Sequence, residues 1–212
     1  MILYGYFRSS SSYRCRIAFN LKGVAVQAQA VNLRDGDQKA RAFKALNPQG
    51  MVPALDTGDA VLTQSLAIIE WLDETHPTPP LLPPDATRRA HVRAFSQIIA
   101  CEIHPLHNLR VLNHLKQNCG LDQAGADEWC RTWIAEGLTA CEAIAAAQTH
   151  DGAYIFGHAP GLAEICLIPQ MFAAERFAVD LTPFPRLREI RAECELLHAF
   201  TDAHPARQPD AI

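Results

Sequence analysis

Three short stretches of this 212-residue sequence place ligand-binding residue types beside predicted strand and helix ends. The first is Arg8-Ser9-Ser10-Ser11-Ser12, which lies between a predicted strand and a predicted helix. A serine hydroxyl at the start of a helix either caps the helix or donates a hydrogen bond to a bound thiolate or carboxylate. A hydrogen bond to the thiolate lowers the pKa of the bound thiol. By itself, this stretch is typical of a polar turn with one serine as N-cap.

The other two stretches are 47–53 (Asn-Pro-Gln-Gly-Met-Val-Pro) and Gln64-Ser65. An X-Pro bond at a strand entry is a place where a cis peptide is tolerated, and it would turn the backbone of Val52 outward as a peptide-binding edge. Ser65 precedes an apolar helical pattern, so it is either an ordinary N-cap or, with the free amides of the first turn, a site that captures a carboxylate. Either stretch alone is also compatible with a purely structural role.

Composition excludes several classes of function. The net charge of −4 and the pI near 6.1 argue against a general nucleic-acid or anionic-membrane binder, which needs a basic excess. Fifteen of the nineteen basic residues are Arg, whose guanidinium grips a carboxylate with two parallel hydrogen bonds. No apolar run approaches the roughly 18 residues of a membrane span, and the N-terminus lacks signal-peptide features, so a cytoplasmic protein is expected. Seven scattered cysteines without a C-x-x-C indicate reduced thiols.

The elements that must position these stretches divide the chain in two. Short apolar runs alternate with helical patterns before the proline-rich stretch that starts at His76, and almost everything after it indicates helix. The sequence therefore predicts an α/β domain over 1–78, a linker over 79–86 and an all-α domain over 87–212. In the first domain the order is βαβ-ββα, which implies a parallel strand pair joined by a crossover helix. The predicted strands are 2–7, 25–33, 52–56 and 61–63, and the predicted helices are 12–21, 38–46 and 65–74, the last with Ser65 as N-cap. The second domain has predicted helices over 88–115, interrupted at Pro105, and over 127–147, 162–176 and 185–203.

Taken in this order, the three stretches resemble the glutathione transferase superfamily, and most closely its zeta class. That class carries a Ser-Ser-Cys element after Arg, followed by Trp-Arg-x-Arg-Ile-Ala, where this chain has Arg8-Ser9-Ser10-Ser11-Ser12-Tyr13-Arg14-Cys15-Arg16-Ile17-Ala18. The resemblance extends through 45–48, 52–53, 64–70, 105–109, 174–177 and 179–183 to the tail at 207–210. It implies the glutathione transferase fold, a thioredoxin-like domain followed by a helical domain.

The resemblance also implies residue roles. Ser9, Ser10 and Ser11 would surround the sulfur of glutathione, with Ser9 matching the catalytic serine. Arg8 and Arg176 would bind the carboxylates of a small dianionic diketo acid, and this match favours function over a surface ion pair between Arg176 and Glu175. The further positions that match glutathione contacts are Gln38, Val52, Gln64, Ser65, His104, Asn108, Leu109 and Arg110.

The chain departs from the family pattern at several positions. Ser11 replaces the family cysteine, which puts any role of that thiol in doubt, and Cys15 is expected to be a helix residue rather than a substitute nucleophile. Gly161 stands where the superfamily has the Ser or Thr of a capping box, a change that costs only a few tenths of a kcal/mol. His104 replaces a Gln and Arg110 a smaller polar residue, and both changes bring potential positive charge toward the pocket.

His104 and His107 are three residues apart, which could suggest a metal site. Pro105 disturbs their shared face and no carboxylate partner set matches, so no metal is expected.

Zeta enzymes are glutathione-dependent cis–trans isomerases of maleylpyruvate or maleylacetoacetate, so the resemblance implies this activity, in which a thiolate adds, the bond rotates and the thiol is eliminated. Maleylpyruvate, from aromatic-compound degradation, is the first expectation and maleylacetoacetate the alternative. Glutathione is the expected cofactor and a homodimer the expected assembly. An α-haloacid transferase, a glutaredoxin-like reductase and a non-catalytic interaction module are the rival hypotheses; the turn has only serines where a reductase needs a cysteine.

Overall fold

The computed structural model describes residues 1–211, which form two compact units. The first unit contains Met1–Leu81 together with the chain from Glu195 onward, and the second is Leu82–Cys194. The last residues of the chain, which composition assigns to the helical domain, therefore pack with the α/β unit.

A four-stranded mixed sheet forms the centre of the first unit. Its strands are β1 (Ile2–Gly5), β2 (Gln27–Ala30), β3 (Ala54–Asp56) and β4 (Val61–Thr63), in the spatial order β2-β1-β3-β4. β1 pairs parallel with β2, with Ile2 opposite Gln27, and antiparallel with β3. The predicted βαβ-ββα order and the parallel pair are confirmed. The first two predicted strands were too long, and β2 is an edge strand whose four residues are all exposed.

Three helices accompany the sheet: α1 (Ser10–Lys22), α2 (Arg41–Leu46) and α3 (Ser65–Thr75). α1 ends at Gly23, whose φ of 64° is the left-handed conformation that only glycine adopts readily. A short 3-10 turn, Asp37–Lys39, precedes α2, so the predicted helix over 38–46 is divided in two. The buried side chain of Lys22 in α1 forms an ion pair with the half-buried Asp73 of α3, at 2.5 Å.

The helices of the second unit are α4 (Ala86–Gln97), α5 (Leu109–Asn118), α6 (Gln123–Ala146), α7 (Leu162–Arg176) and α8 (Pro185–Glu195), and α9 (His198–Thr201) follows in the C-terminal part of the first unit. Between α4 and α5 the chain forms a π-helical turn, Ile98–Ile103, and a 3-10 turn, His104–His107. The predicted interruption at Pro105 is confirmed. The predicted helix over 185–203 was wrong as a single element, because the chain leaves α8 after Glu195.

α7 is the central helix of the second unit, and most of its residues are buried, as expected for a helix that is apolar on all sides. Gly161 at its N-cap has no capping side chain, but Glu164 accepts hydrogen bonds from Gly161 N and Ile155 N, both at 2.8 Å. Half of a capping box is therefore present. Burial raises the pKa of Glu164 above its ordinary value. Among residues 1–211 no helix is long and apolar enough to cross a membrane.

Candidate active site

The turn between β1 and α1 places Ser9 at the N-cap of the helix. Ser9 has extended backbone angles (φ −71°, ψ 120°), and its Oγ accepts a hydrogen bond from Ser12 N at 3.2 Å. This geometry satisfies one of the free amides in the first turn of the helix. The expected N-cap serine in this stretch is Ser9.

A chain of hydroxyl groups runs from Ser9 to the backbone of Val52. Ser11 Oγ donates to Val52 O at 3.1 Å, and Ser9 Oγ lies 3.1 Å from Ser11 Oγ. Because Ser11 has one hydroxyl proton and uses it on Val52, Ser9 must be the donor to Ser11. The proton of Ser9 is therefore held by a neutral acceptor, and a thiolate near the turn would be a stronger one.

The neighbours of Ser9 differ in exposure. Arg8 is half-buried, with its guanidinium carbon 5.9 Å from the ring centroid of Phe7. Ser10 is buried at the first position of α1. Cys15 is fully buried within the helix, so it is a core residue, as expected, and not a nucleophile at the turn.

Unused backbone and side-chain groups lie on the neighbouring loops. The Val52–Pro53 peptide bond is cis. Within residues 1–211, Val52 N–H makes no hydrogen bond to another group of the protein. The buried Oε1 of Gln38 likewise finds no hydrogen-bond partner among the described residues. An amide donor and an amide acceptor without protein partners suit a peptide-like ligand.

Gln64 and Ser65 begin α3, although not in the predicted arrangement. Gln64 occupies the N-cap position, without a capping hydrogen bond from its side chain, and Ser65 is the first residue of the helix. The prediction of Ser65 as N-cap was therefore wrong by one residue. Gln64 has a φ of 69°, a strained conformation for a residue with a side chain, and its Nε2 donates to Gln49 Oε1 at 2.8 Å.

The hydroxyl of Ser65 is oriented by a buried arginine. Arg14, 1 % exposed, donates from Nη1 to Ser65 Oγ at 3.3 Å. Because Oγ is the acceptor in this contact, the proton of Ser65 is available to another acceptor. Together with the first-turn amides of α3, it forms a donor set suited to a carboxylate. Sequence reasoning missed Arg14, which it quoted only as part of the family motif.

In the second unit, four predicted ligand residues surround the start of α5. Asn108 is the N-cap, and its side-chain oxygen accepts from Arg110 N at 3.1 Å. Leu109 is 43 % exposed and Arg110 is exposed. The ring of His104, in the 3-10 turn, lies 5.3 Å from that of His107. The structure therefore gathers these four residues on one short segment.

A buried pair next to this segment was missed by sequence reasoning. His107 Nε2 lies 3.1 Å from Gln170 Oε1 of α7, and the Nε2 of Gln170 is buried without a hydrogen-bond partner among the described residues. His107 was weighed only as a metal ligand, and its contact lies 63 residues away in sequence. No group of three metal-binding side chains occurs within residues 1–211.

Arg176 is exposed at the C-terminal end of α7, with its guanidinium carbon 5.3 Å from the ring centroid of Phe177. The neighbouring Glu175 is bound by Arg191 through two hydrogen bonds, at 2.5 and 3.1 Å. A bidentate contact of this kind occupies both carboxylate oxygens of Glu175. Glu175 is therefore paired with Arg191 of α8.

Comparison with known proteins gives consistent results across the whole chain. Residues 3–80 match the family model described as glutathione S-transferase, N-terminal domain. The chain is 52% identical to a maleylpyruvate isomerase from Ralstonia sp over 211 residues, which cover 100% of both chains.

Two solved structures are similar over their full length. One is a holo structure of maleyl pyruvate isomerase, described as a bacterial glutathione-S-transferase in zeta class, with a TM-score of 0.98 and 51% identity, covering 100% of both chains. The other is a maleylacetoacetate isomerase from Methylobacterium extorquens AM1 with bound malonate and glutathione, with a TM-score of 0.96 and 39% identity, again covering 100% of both chains.

Proposed function

The chain belongs to the glutathione S-transferase family, in its zeta class, and we propose that it is a glutathione-dependent cis–trans isomerase that converts maleylpyruvate to fumarylpyruvate. The full-length similarity to a maleylpyruvate isomerase carries this proposal. The retained hydroxyl chain from Ser9 to Val52 supports it, because an interaction module without catalytic activity has no need of such a donor set.

The first unit has groups that fit glutathione. The N–H of Val52 suits the carbonyl of the cysteinyl residue, and the first-turn amides of α3 with the Ser65 hydroxyl suit the γ-glutamyl carboxylate. The buried Oε1 of Gln38 is an acceptor for an N–H of the tripeptide. Gln64 would hold the same γ-glutamyl end. In the second unit His104, Asn108, Leu109 and Arg110 are the further proposed contacts.

Bound glutathione supplies a thiolate that adds to the conjugated double bond, permits rotation about the resulting single bond and is then eliminated. Ser9 keeps its N-cap bond to Ser12 N while its hydroxyl proton turns from Ser11 toward the sulfur. The positive end of the α1 dipole also favours a thiolate at this turn. The first turn of α1 contains no acidic side chain that would offset this effect. Ser11 holds the carbonyl of Val52, which fixes the loop that presents the Val52 amide.

Arginine side chains bind the substrate in this proposal. Maleylpyruvate is a dianion, and Arg8 and Arg176, with Arg110, would supply the matching charge and stabilise the enolate charge that thiolate addition places on the carbonyl oxygen. Arg176→Ala is expected to raise the KM for maleylpyruvate much more than that for glutathione. Arg188→Ala, which removes an exposed arginine from α8 of the same unit, is the matched control. An equal rise in both KM values would contradict this role.

The decisive experiment compares purified protein with maleylpyruvate and with maleylacetoacetate, each with and without glutathione. The expected result is glutathione-dependent loss of the cis substrate, faster for maleylpyruvate. Maleylacetoacetate is the second candidate, because the chain also resembles a maleylacetoacetate isomerase over its full length. Turnover of an α-haloacid without isomerisation would instead indicate a conjugating transferase, and retention on immobilised glutathione without any turnover would indicate an interaction module.

Assembly and location are also part of the proposal. A homodimer is supported by α5, where Leu109, Leu112 and Leu115 share a face although the helix has no buried residue. Light scattering on the protein as it elutes from a size-exclusion column tests the homodimer, and the mass of a monomer would refute it.

A cytoplasmic location is supported by the seven cysteines, which all lie within residues 1–211 and are all free thiols. Fractionation of expressing cells tests the location, and recovery outside the cytoplasm would refute it.

A further inference from the structure

The C-terminal segment, defined here as residues 195–211, is tied to one face of α1. Tyr13 Oη donates to Phe200 O at 3.5 Å, Arg16 Nε to Ala203 O at 3.0 Å and Asn20 Nδ2 to Ala199 O at 3.0 Å. The three α1 positions are spaced three and four residues apart, so they lie on the same side of the helix. The segment is thereby fixed along α1, the helix whose N-terminus carries the proposed thiolate site.

The same segment also reaches the turn before that site. Phe7 N–H donates to Asp210 Oδ2 at 2.9 Å, across 203 residues of sequence. The carbonyl of Phe7 accepts from Arg16 Nη2 at 2.9 Å, and Arg16 is the residue that also binds Ala203. Both polar backbone groups of Phe7, the residue directly before Arg8, are therefore held by charged side chains that belong to or contact the C-terminal segment. Hydrogen bonds with one charged partner are about twice as strong as neutral ones.

Contacts within the segment hold its end in place. Arg207 Nη1 binds Asp202 Oδ1 at 2.6 Å, and Gln208 Nε2 donates to the carbonyls of Asp202 and His204 at 2.9 and 3.0 Å. These bonds fold the chain into a compact turn two residues before Asp210. The carboxylate of Asp210 is therefore presented by an ordered support rather than by a loose terminus.

We propose that Asp210 is a positioning residue for the isomerase: its bond to Phe7 N–H, together with the bond from Arg16 to Phe7 O, fixes the turn that aims Arg8 and Ser9. This inference rests on the proposed function. Catalytic groups lose much of their effect when displaced by about 1 Å, so the backbone of Phe7 is a point where a remote contact controls activity. In this proposal, the tail motif at 207–210, which is part of the family resemblance, provides the carboxylate of Asp210 and the side chains that hold it in place.

A purely structural role for Asp210 predicts a different result from a positioning role. A cavity of about 200 Å³ borders Phe7, Arg16 and Asp210. When the carboxylate is removed, water in this cavity can satisfy the freed N–H but cannot fix its position. Loss of Asp210 is therefore expected to affect the geometry of the turn more than the stability of the fold.

The test compares Asp210→Ala and Asp210→Asn with Asp56→Ala, a control in the same unit whose carboxylate also accepts from a backbone amide, Gly58 N at 2.8 Å, outside the β1–α1 turn and the C-terminal segment. Asp210→Ala is expected to lower kcat for maleylpyruvate about tenfold. It should also move the appearance of bound glutathione thiolate, followed by its ultraviolet absorbance, to higher pH. Asp210→Asn keeps an oxygen acceptor and should lose only about twofold. Asp56→Ala should change neither quantity.

Each outcome decides the proposal. Wild-type kcat and an unshifted thiolate titration in Asp210→Ala, with or without a lower Tm, overturn it. If Asp210→Ala does not fold, Asp210→Asn carries the test, and wild-type values for both of its readouts overturn the proposal as well. A wild-type protein that isomerises neither cis substrate refutes the proposed function instead, and the thiolate titration of the complex with glutathione then still measures the effect of Asp210.

Discussion

Replacement of Ser9 separates its two roles, because the N-cap bond and the proposed bond to the thiolate use different parts of the hydroxyl. As N-cap, Ser9 Oγ accepts from Ser12 N at 3.2 Å, a contact whose loss to Ala costs about 1 kcal/mol of stability. For a protein of this length that is a fall in Tm of about 2–4 °C. Ser9→Gly removes the same hydroxyl but costs only a few tenths of a kcal/mol, because glycine is itself a good N-cap residue.

The catalytic effect depends on the donated proton. One hydrogen bond to a charged group contributes about 1.5–3 kcal/mol, which corresponds to a fall of about 10- to 150-fold in kcat. The pKa of the bound thiol should rise in parallel, which moves the rise of the rate to higher pH. We therefore expect Ser9→Ala and Ser9→Gly to lose kcat equally while their Tm values differ.

The assay is steady-state isomerisation of maleylpyruvate at saturating glutathione over a range of pH, with a thermal melt of each variant. Asp85→Ala is the matched control, because it removes a side-chain cap bond to Arg88 N, at 2.8 Å, at the start of α4. It should lower the Tm without changing kcat or its pH dependence. Wild-type turnover in Ser9→Gly would refute this role of Ser9 and would assign the stabilisation of the thiolate to Ser10 or Ser11.

Three further predictions concern other parts of the molecule. Ala178 lies two residues after the end of α7 and has a φ of 54°, a left-handed conformation that is sterically unfavourable for alanine. Ala178→Gly should therefore raise the free energy of unfolding by about 0.5–1 kcal/mol in urea titrations. Ala140→Gly, at an exposed position within α6, should lower the free energy of unfolding by about 1 kcal/mol. A lower free energy of unfolding in both variants would contradict the left-handed conformation of Ala178. Ellman's reagent should react quickly with the exposed Cys101 and Cys119 and reach the five buried thiols only after unfolding, because burial raises the pKa of Cys130 to about 11 and that of Cys141 to about 12; a third fast thiol would contradict this. Burial raises the pKa of Glu164 above 4.5, so its contribution to stability is complete below pH 4.5 and is lost as the pH rises through the folded pKa. The stability difference between wild type and Glu164→Gln should therefore decrease from pH 4.5 to neutral pH, and a difference that grows with pH would reverse the sign of this reasoning.

Local patterns in the sequence predicted the order of elements well, because each of them is set by nearby residues. The N-cap serine and the interruption at Pro105 both depend on side chains within a few positions. The bounds of β2 were less accurate, since an edge strand with four exposed residues has no alternating apolar face to mark its ends.

Tertiary contacts explain what the sequence did not reveal. The π-helical turn before His104 keeps an apolar pattern compatible with an ordinary helix. Its packing depends on Gly137 of α6, where an added Cβ would lie 2.2 Å from Ile103 Cγ1. The division of the last predicted helix has a similar cause, because residues after Glu195 pack with the first unit. Contacts between residues so distant in sequence have no local signature.

In the candidate site, the residues that would contact glutathione were predicted from the sequence, whereas the residues that support them were not. Ser9, Ser11 and Val52 were predicted from the resemblance, and the structure joins them in one hydrogen-bonded chain. The replacement of the family cysteine by Ser11 left its role open in the sequence, and the bond to Val52 O gives the serine a structural reason to be there. The supports of the site, such as Arg14 beneath Ser65, depend on burial and could not be predicted from residue type.

The excess of arginine over lysine can be explained at two of these supports. Arg16 binds the carbonyls of Phe7 and Ala203 at the same time, from Nη2 and Nε, two donors that the planar guanidinium holds at a fixed angle. Burial lowers the pKa of Arg16 to about 10, so it still carries its charge at neutral pH. Arg14 likewise uses one arm of its fork on Ser65. Two arginines of the motif thus act on backbone and hydroxyl groups of the protein, whereas we propose that Arg8 and Arg176 bind the dianionic substrate. The net charge of −4 therefore says little about the site, because the geometry of each guanidinium decides what it binds.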